Sequence, residues 1–133
     1  MIIVDANVLI DVATDDPVWA DWSQGRLDLA ADEDQIAINE VVYAELSVRY
    51  SRMAEIDAML REFQIELAPT PREALFLAGK AYQSYRAAGG TRTGVLPDFF
   101  IGAHALVAKA PLITRDVPRY RTYFPGIHLI APN

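Results

Sequence analysis

Short runs of branched aliphatic residues alternate along this chain with longer stretches whose apolar residues recur at helical spacing. Ile2 to Val4 is too brief and too β-branched for a helix and predicts a buried strand. A helix follows from Ala6 to about Thr14, with Asp5 or Asn7 able to cap its first turn and Asp15-Asp16-Pro17 ending it. A second helix is expected from Val18 through Leu29, anchored by Trp19, Trp22 and Leu27, before an acidic turn at Asp32-Glu33-Asp34. Gln35 to Ile38 predicts the next strand, and Asn39 caps a helix running through Tyr50. Ile56, Met59, Leu60 and Phe63 form the stripe of a helix over Ala54–Phe63, and Ile65–Ala68 predicts a short edge strand. Pro71 suits the first position of a helix that reaches Gly89-Gly90, after which residues 91–95 read as a loop. The helix begun by Pro97 is apolar nearly all round and carries Gly102, Ala103, Ala105 and Ala108, so it should be buried close against the sheet. Leu112–Thr114 and Ile127–Ile130 predict the last two strands.

Strands and helices therefore alternate from end to end without repeat, linker or low-complexity tract. That pattern predicts an α/β fold: one domain over residues 1–133, with a parallel sheet covered by helices on both faces. Ligands of such sheets bind beyond the carboxyl ends of the strands, where the strand order reverses. Asp5 and Asp116 both follow apolar strands directly, at ends of that kind.

Composition narrows the classes. At 133 residues and 52% hydrophobic, the chain can bury a sizeable core. It has no cysteine, so disulfide scaffolds and thiolate metal sites are excluded. No stretch approaches the roughly 18 apolar residues of a membrane span. Asp5 interrupts the opening apolar run and no basic segment precedes it, so no signal peptide is expected and a cytoplasmic location is the default. The net charge of −6 hides a division. Residues 1–70 hold 15 acids against four arginines, and residues 71–133 hold three acids against eight basic residues. A basic half of this kind can attract nucleic acid despite an acidic average, although two ordinary solvated surfaces would read the same way.

Four acids carry the candidate chemistry: Asp5, Glu45, Asp98 and Asp116. Each has a plain structural use. Asp5 could cap a helix, Asp98 could complement a helix dipole, Glu45 could pair with Arg49 one turn on, and Asp116 could sit in a turn. Together they say more. Carboxylates drawn into one pocket repel one another and lose hydration, and a divalent cation such as Mg²⁺ or Mn²⁺ reverses that penalty. Such ions activate water and stabilise the leaving oxygen in phosphodiester cleavage. No glycine-rich phosphate loop is present, and His104 and His128 belong to no triad pattern. Aspartyl-phosphate hydrolases want a second acid where Asn7 stands.

Ile3-Val-Asp-Ala-Asn-Val-Leu9, Glu40-Val-Val-Tyr-Ala-Glu45-Leu, Pro97-Asp-Phe-Phe-Ile-Gly-Ala-His104 and Leu112-Ile-Thr-Arg-Asp116, with Arg119-Tyr-Arg-Thr-Tyr-Phe124 behind it, stand in order and at suitable spacing. In these segments the chain resembles a PIN-domain ribonuclease, specifically a VapC-type toxin of a toxin–antitoxin pair. The resemblance implies a three-layer α/β/α fold on about five parallel strands, and Mg²⁺- or Mn²⁺-dependent endonuclease action on RNA. It also implies a small antitoxin partner and a homodimer. By position it makes Asp5 and Asp98 the main metal ligands, completed by Glu45 and Asp116 directly or through water. Asn7 would orient Asp5, Thr114 would hydrogen-bond within the site, and Arg115 beside Asp116 is either a site residue or a solvent-facing one. The charge division adds Arg92, Arg119 and Arg121 as RNA contacts, with pairing to acids of the N-terminal half as the alternative. Tyr82, Tyr85 and the loop after Gly89 could belong to a dimer interface or to the core. The competing function is a catalytically silent PIN-like module that holds RNA or protein without cutting.

Overall fold

A computed structural model describes residues 1–92 and 94–133; the expected loop over 91–95 includes Thr93, which lies outside the described residues. The strands are β1 (Ile2–Val4), β2 (Ile36–Ile38), β3 (Ile65–Leu67), β4 (Leu112–Ile113) and β5 (Leu129–Ile130). Between them run α1 (Ala6–Ala13), α2 (Ala20–Glu33), α3 (Glu40–Ser47), α4 (Met53–Glu62), α5 (Arg72–Ala87), α6 (Leu96–Ala108) and α7 (Pro118–Tyr123).

All strand pairs are parallel, in the order β3-β2-β1-β4-β5. The chain thus steps outward from β1 in one direction, then crosses back and steps outward in the other. α1 packs on α2 and α3, and α3 on α4, while α6 packs on α5 and α7 and also meets α3. The reversal falls between β1 and β4, where Val4 pairs with Ile113 and the Asp5 amide still donates to the Ile113 carbonyl at 2.9 Å. The crevice beyond these two strand ends is the place where the topology offers a ligand site. The two halves of the charge division also occupy the two sides of the sheet, because β1 to β3 come from residues 1–70 and β4 and β5 from residues 71–133.

Burial explains the strand sequences. β1, β2 and β4 are covered on both faces, so every one of their residues is apolar and buried, whereas edge strand β3 exposes Glu66 and Leu67. The core continues through Leu9, Leu27, Leu46, Phe99, Ile101, Tyr120 and Phe124. Among the described residues no helix is long and apolar enough to cross a membrane.

Several expected boundaries move. The second helix begins at Ala20 because the Asp16 carboxylate binds the amides of Val18 and Trp19, each at 2.9 Å, and holds them in a preceding turn. It absorbs Asp32 and Glu33, so only Asp34 remains of the expected acidic turn. α3 stops at Ser47, short of Tyr50, with the Ser47 hydroxyl donating back to the Tyr43 carbonyl. Helix α7, opened by Pro118, was not expected from the sequence at all. The small residues of α6 do serve close approach, but Gly102 faces α7 and the chain after it: a Cβ there would stand 2.5 Å from the Phe124 ring and 3.1 Å from Tyr120.

Candidate metal centre

Asp5 ends β1 and is buried, yet it does not cap α1. Its Oδ2 accepts from the Tyr120 hydroxyl at 2.8 Å, the Thr114 hydroxyl at 2.8 Å and the Asn7 amide at 3.3 Å. Three donors on one oxygen fix the carboxylate's orientation, and none of the three reaches Oδ1. Burial raises its pKa; the hydrogen bonds from Tyr120 and Thr114 work against that rise, and the charge of Asp116 adds to it. Tyr120, itself buried, is held well above its usual pKa by burial and then by the charge of Asp5, so it remains a phenol that donates.

The β4 end supplies the rest of this lattice. Thr114 also accepts from the Asp116 amide at 3.0 Å, and Asn7 accepts from the Arg115 amide at 3.2 Å. Asn7 and Thr114 therefore tie the two strand ends together. Asp116 itself is exposed at the rim.

Glu45 and Asp98 approach from α3 and α6, two helices that meet each other. Asn39 caps α3 by accepting from the amides of Val41 and Val42 at 3.1 and 3.0 Å. With its oxygen so engaged, its amide nitrogen faces His104 Nδ1 of α6 at 3.3 Å. The imidazole must accept there and is neutral at that nitrogen, in keeping with a pKa lowered by burial. This contact joins the helices that carry Glu45 and Asp98. Burial, then the charges of Asp5 and Asp98, push Glu45 up to about 7. Burial and Asp5 push Asp98 up to about 6, opposed by Arg119. The alternative use of Glu45, a pair with Arg49, is not among the ion pairs of the described residues.

Asp5 thus feels Asp116, Glu45 feels Asp5 and Asp98, and Asp98 feels Asp5 and Asp116. As the side chains stand, however, no three His, Cys, Asp or Glu groups among the described residues are arranged so that they could hold a metal ion. The partners explain this: Asp5 is turned to its three donors, and Arg119 Nη1 donates to Asp98 Oδ2 at 2.5 Å. The donor set still fits a hard divalent cation, because every candidate ligand is an oxygen and Glu45 Oε1 is buried with no hydrogen-bond partner. An orphaned carboxylate oxygen beside other carboxylates lacks a counter-charge.

The arginines divide. Arg119 faces the acids. Arg115 turns away to the buried Asp11 of α1, with Nε on Oδ2 at 2.5 Å and Nη2 on Oδ1 at 2.8 Å, and lies over the Trp19 ring at 5.0 Å. Asp11 also accepts from Ser23 at 2.8 Å. Arg115 thus pairs with an acid of the N-terminal half, which is neither of the two readings the sequence left open for it. Arg121, two positions beyond Arg119 and so on the far side of α7, lines a separate groove of about 500 Å³ with Phe124, Pro125, Ile127, His128 and Leu129. Arg92 is exposed on the loop before α6, its amide donating to the Tyr85 hydroxyl at 3.1 Å. Tyr82 and Tyr85 stack on each other at 5.9 Å and both meet Phe99 at 5.6 Å, which is packing within the fold.

Tyr120 and Asp11 are the site and support residues that sequence reasoning missed. The aromatic at 120 gave a signal only as part of the segment Arg119–Phe124. Asp11 carried none, since a lone acid in an amphipathic helix reads as surface.

A match to the family described as PIN domain covers residues 2–124. No curated protein matches the chain. Among solved structures it is similar to VapBC2 of Rickettsia felis bound to a promoter DNA fragment, at 22% identity and TM-score 0.75 over 100% of both chains. DNA-bound VapBC of Salmonella typhimurium aligns at 18% identity and TM-score 0.71 over 98% of each chain. VapBC-1 of nontypeable Haemophilus influenzae gives 19%, 0.71 and 98% of each. At such identities the likeness is one of fold.

Proposed function

The chain belongs to the PIN domain family, and from that premise we propose that it is a single-domain, metal-dependent endoribonuclease acting as the toxin of a toxin–antitoxin pair. The observation that carries the nuclease reading is Glu45 Oε1, a buried carboxylate oxygen without a partner, where burial and then the charges of Asp5 and Asp98 raise its pKa to about 7. Such an oxygen calls for a cation. Asp5, Asp98, Glu45 and Asp116 would hold Mg²⁺ or Mn²⁺, the last two directly or through water, and the bound ion would supply an activated water and stabilise the leaving oxygen.

The chain's own residues do the positioning. Tyr120, Thr114 and Asn7 fix Asp5 through one oxygen. Asn39 and His104 keep α3 and α6, and with them Glu45 and Asp98, at a set separation. Placement on the sheet rather than on free loops lowers the reorganisation required at reaction. RNA phosphates would approach from the side of β4, past Arg119 and Arg92, because the β1 to β3 side carries the excess of acids.

An antitoxin partner fits the same crevice, whose surplus negative charge would accept a basic side chain in place of the ion. This part of the proposal draws on the fold shared with the VapBC structures, as does the expectation of a homodimer. The function is tested with purified, partner-free protein and single-stranded RNA. Cleavage is expected with Mg²⁺ or Mn²⁺, absent with EDTA, and lost in Asp98→Asn with the fold retained. RNA binding without cleavage under any divalent ion would instead make this a silent binding module.

A further inference from the structure

Asp98 already has a cation. Arg119 Nη1 donates to its Oδ2 at 2.5 Å, and the side chains are 18% and 21% exposed, so the pair is largely withdrawn from water. Arg119 stands in the first turn of α7, next to the buried Tyr120 that binds Asp5. α7 itself is clamped by Tyr120 and by Phe124 just beyond it, both packed over Gly102. The backbone at 119 is therefore fixed, and only the side chain has room to change partner. Among the described residues Asp98 is the one acid of the four in an ion pair, while Glu45 Oε1 has no partner.

A guanidinium and a divalent ion at one carboxylate repel each other, and the repulsion is strong where water is scarce. A lysine could relieve it by giving up its proton; arginine cannot. The relief must be a movement of the side chain. Resting on the metal-centre reading above, we propose that Arg119 is a tethered counter-cation that competes with the divalent ion for Asp98. It closes on Asp98 when the ion is absent and swings off when the ion is held. Its planar fork is then offered to an RNA phosphate, for which its geometry is suited. Ion binding and phosphate binding are coupled by this one exchange.

Nitrogen-15 spectra of the arginine side chains test the exchange directly. In EDTA the Arg119 Nη protons should be slowed by the carboxylate, with the signal identified by its loss in Arg119→Lys; saturating Mg²⁺ should abolish it. In calorimetry Arg119→Ala should bind Mn²⁺ about tenfold more tightly than the native chain, as expected if the pair is closed in about nine of ten metal-free molecules. Millimolar guanidinium ion should reverse that gain in the variant. If Mg²⁺ binds the native chain while the Arg119 signal persists and Arg119→Ala gains no affinity, the competition is refuted and the metal centre stands. If neither native protein nor variant binds Mg²⁺ or Mn²⁺, the metal-centre reading fails and takes this inference with it.

Discussion

Replacing Glu45 by Gln keeps the side chain's shape and removes the charge that the crevice least tolerates. The ordinary value of the group is 4.5 and the fold raises it to about 7. A carboxylate raised in this way costs the fold nothing below its unfolded value, where it is protonated in both states. Stability is then lost as the pH rises from about 4.5 to about 7 and the folded protein is forced to give up the proton. At about 1.4 kcal/mol per unit the loss would approach roughly 3 kcal/mol. Glu45 is only partly buried, so screening by water reduces this to about 1–2 kcal/mol. In EDTA at pH 8 Glu45→Gln should therefore melt several degrees above the native chain, on the order of 4–8 °C for a domain of this size. At pH 4.5 the two should melt together. Added Mg²⁺ should narrow the gap at pH 8, because the native carboxylates gain from the ion and the variant gains less. Thermal denaturation followed by circular dichroism at the two pH values, with and without Mg²⁺, reads all of this. A variant less stable than the native chain at pH 8 in EDTA would show that Glu45 is already satisfied, and the argument from its orphaned oxygen would collapse.

Three further outcomes follow from named contacts. Arg115→Ala leaves Asp11, 3% exposed, without its cation; urea denaturation should show a loss of about 2–3 kcal/mol, and a change below about 0.5 kcal/mol would mean that the pair is idle. Tyr120→Phe removes one of the three donors on Asp5 Oδ2; RNA cleavage should slow about tenfold while RNA binding holds, matching roughly 1.4 kcal/mol of lost orientation, and an unchanged rate would confine Tyr120 to packing. Arg92→Ala should lower the salt slope of RNA binding by about 0.7 and Arg121→Ala should leave it unchanged, since Arg121 lines a different groove; the reverse result would move the RNA path to the far side of α7.

The parallel sheet and the placing of Asp5 at its switch point were legible because the determinants are local. Ile2–Val4 is a buried strand by composition, and an acid directly after it has nowhere to go but the strand's end. Asn39 was legible as a cap because capping is decided within three residues. What escaped depends on contacts distant in sequence. Arg115 meets Asp11 across 104 positions, and Tyr120 meets Asp5 across 115. Neither pairing leaves a periodic trace. The charge division could not say which arginines face the acids. That depends on the turn of α7, a six-residue helix with too little pattern to announce itself. Gly102 was marked as a point of close approach, but its partner proved to be the Phe124 ring rather than the sheet.

The proposed nuclease needs a divalent ion among Asp5, Glu45, Asp98 and Asp116. Crystals of the protein soaked in manganese chloride, with data collected near the manganese absorption edge, test it most directly. The prediction is an anomalous peak in the β1/β4 crevice bordered by the Asp5 and Asp98 carboxylates, with the Arg119 side chain withdrawn, and no such peak in Asp98→Asn. A crevice without a peak at saturating manganese, with Arg119 still on Asp98, would contradict the claim that these acids form a metal centre.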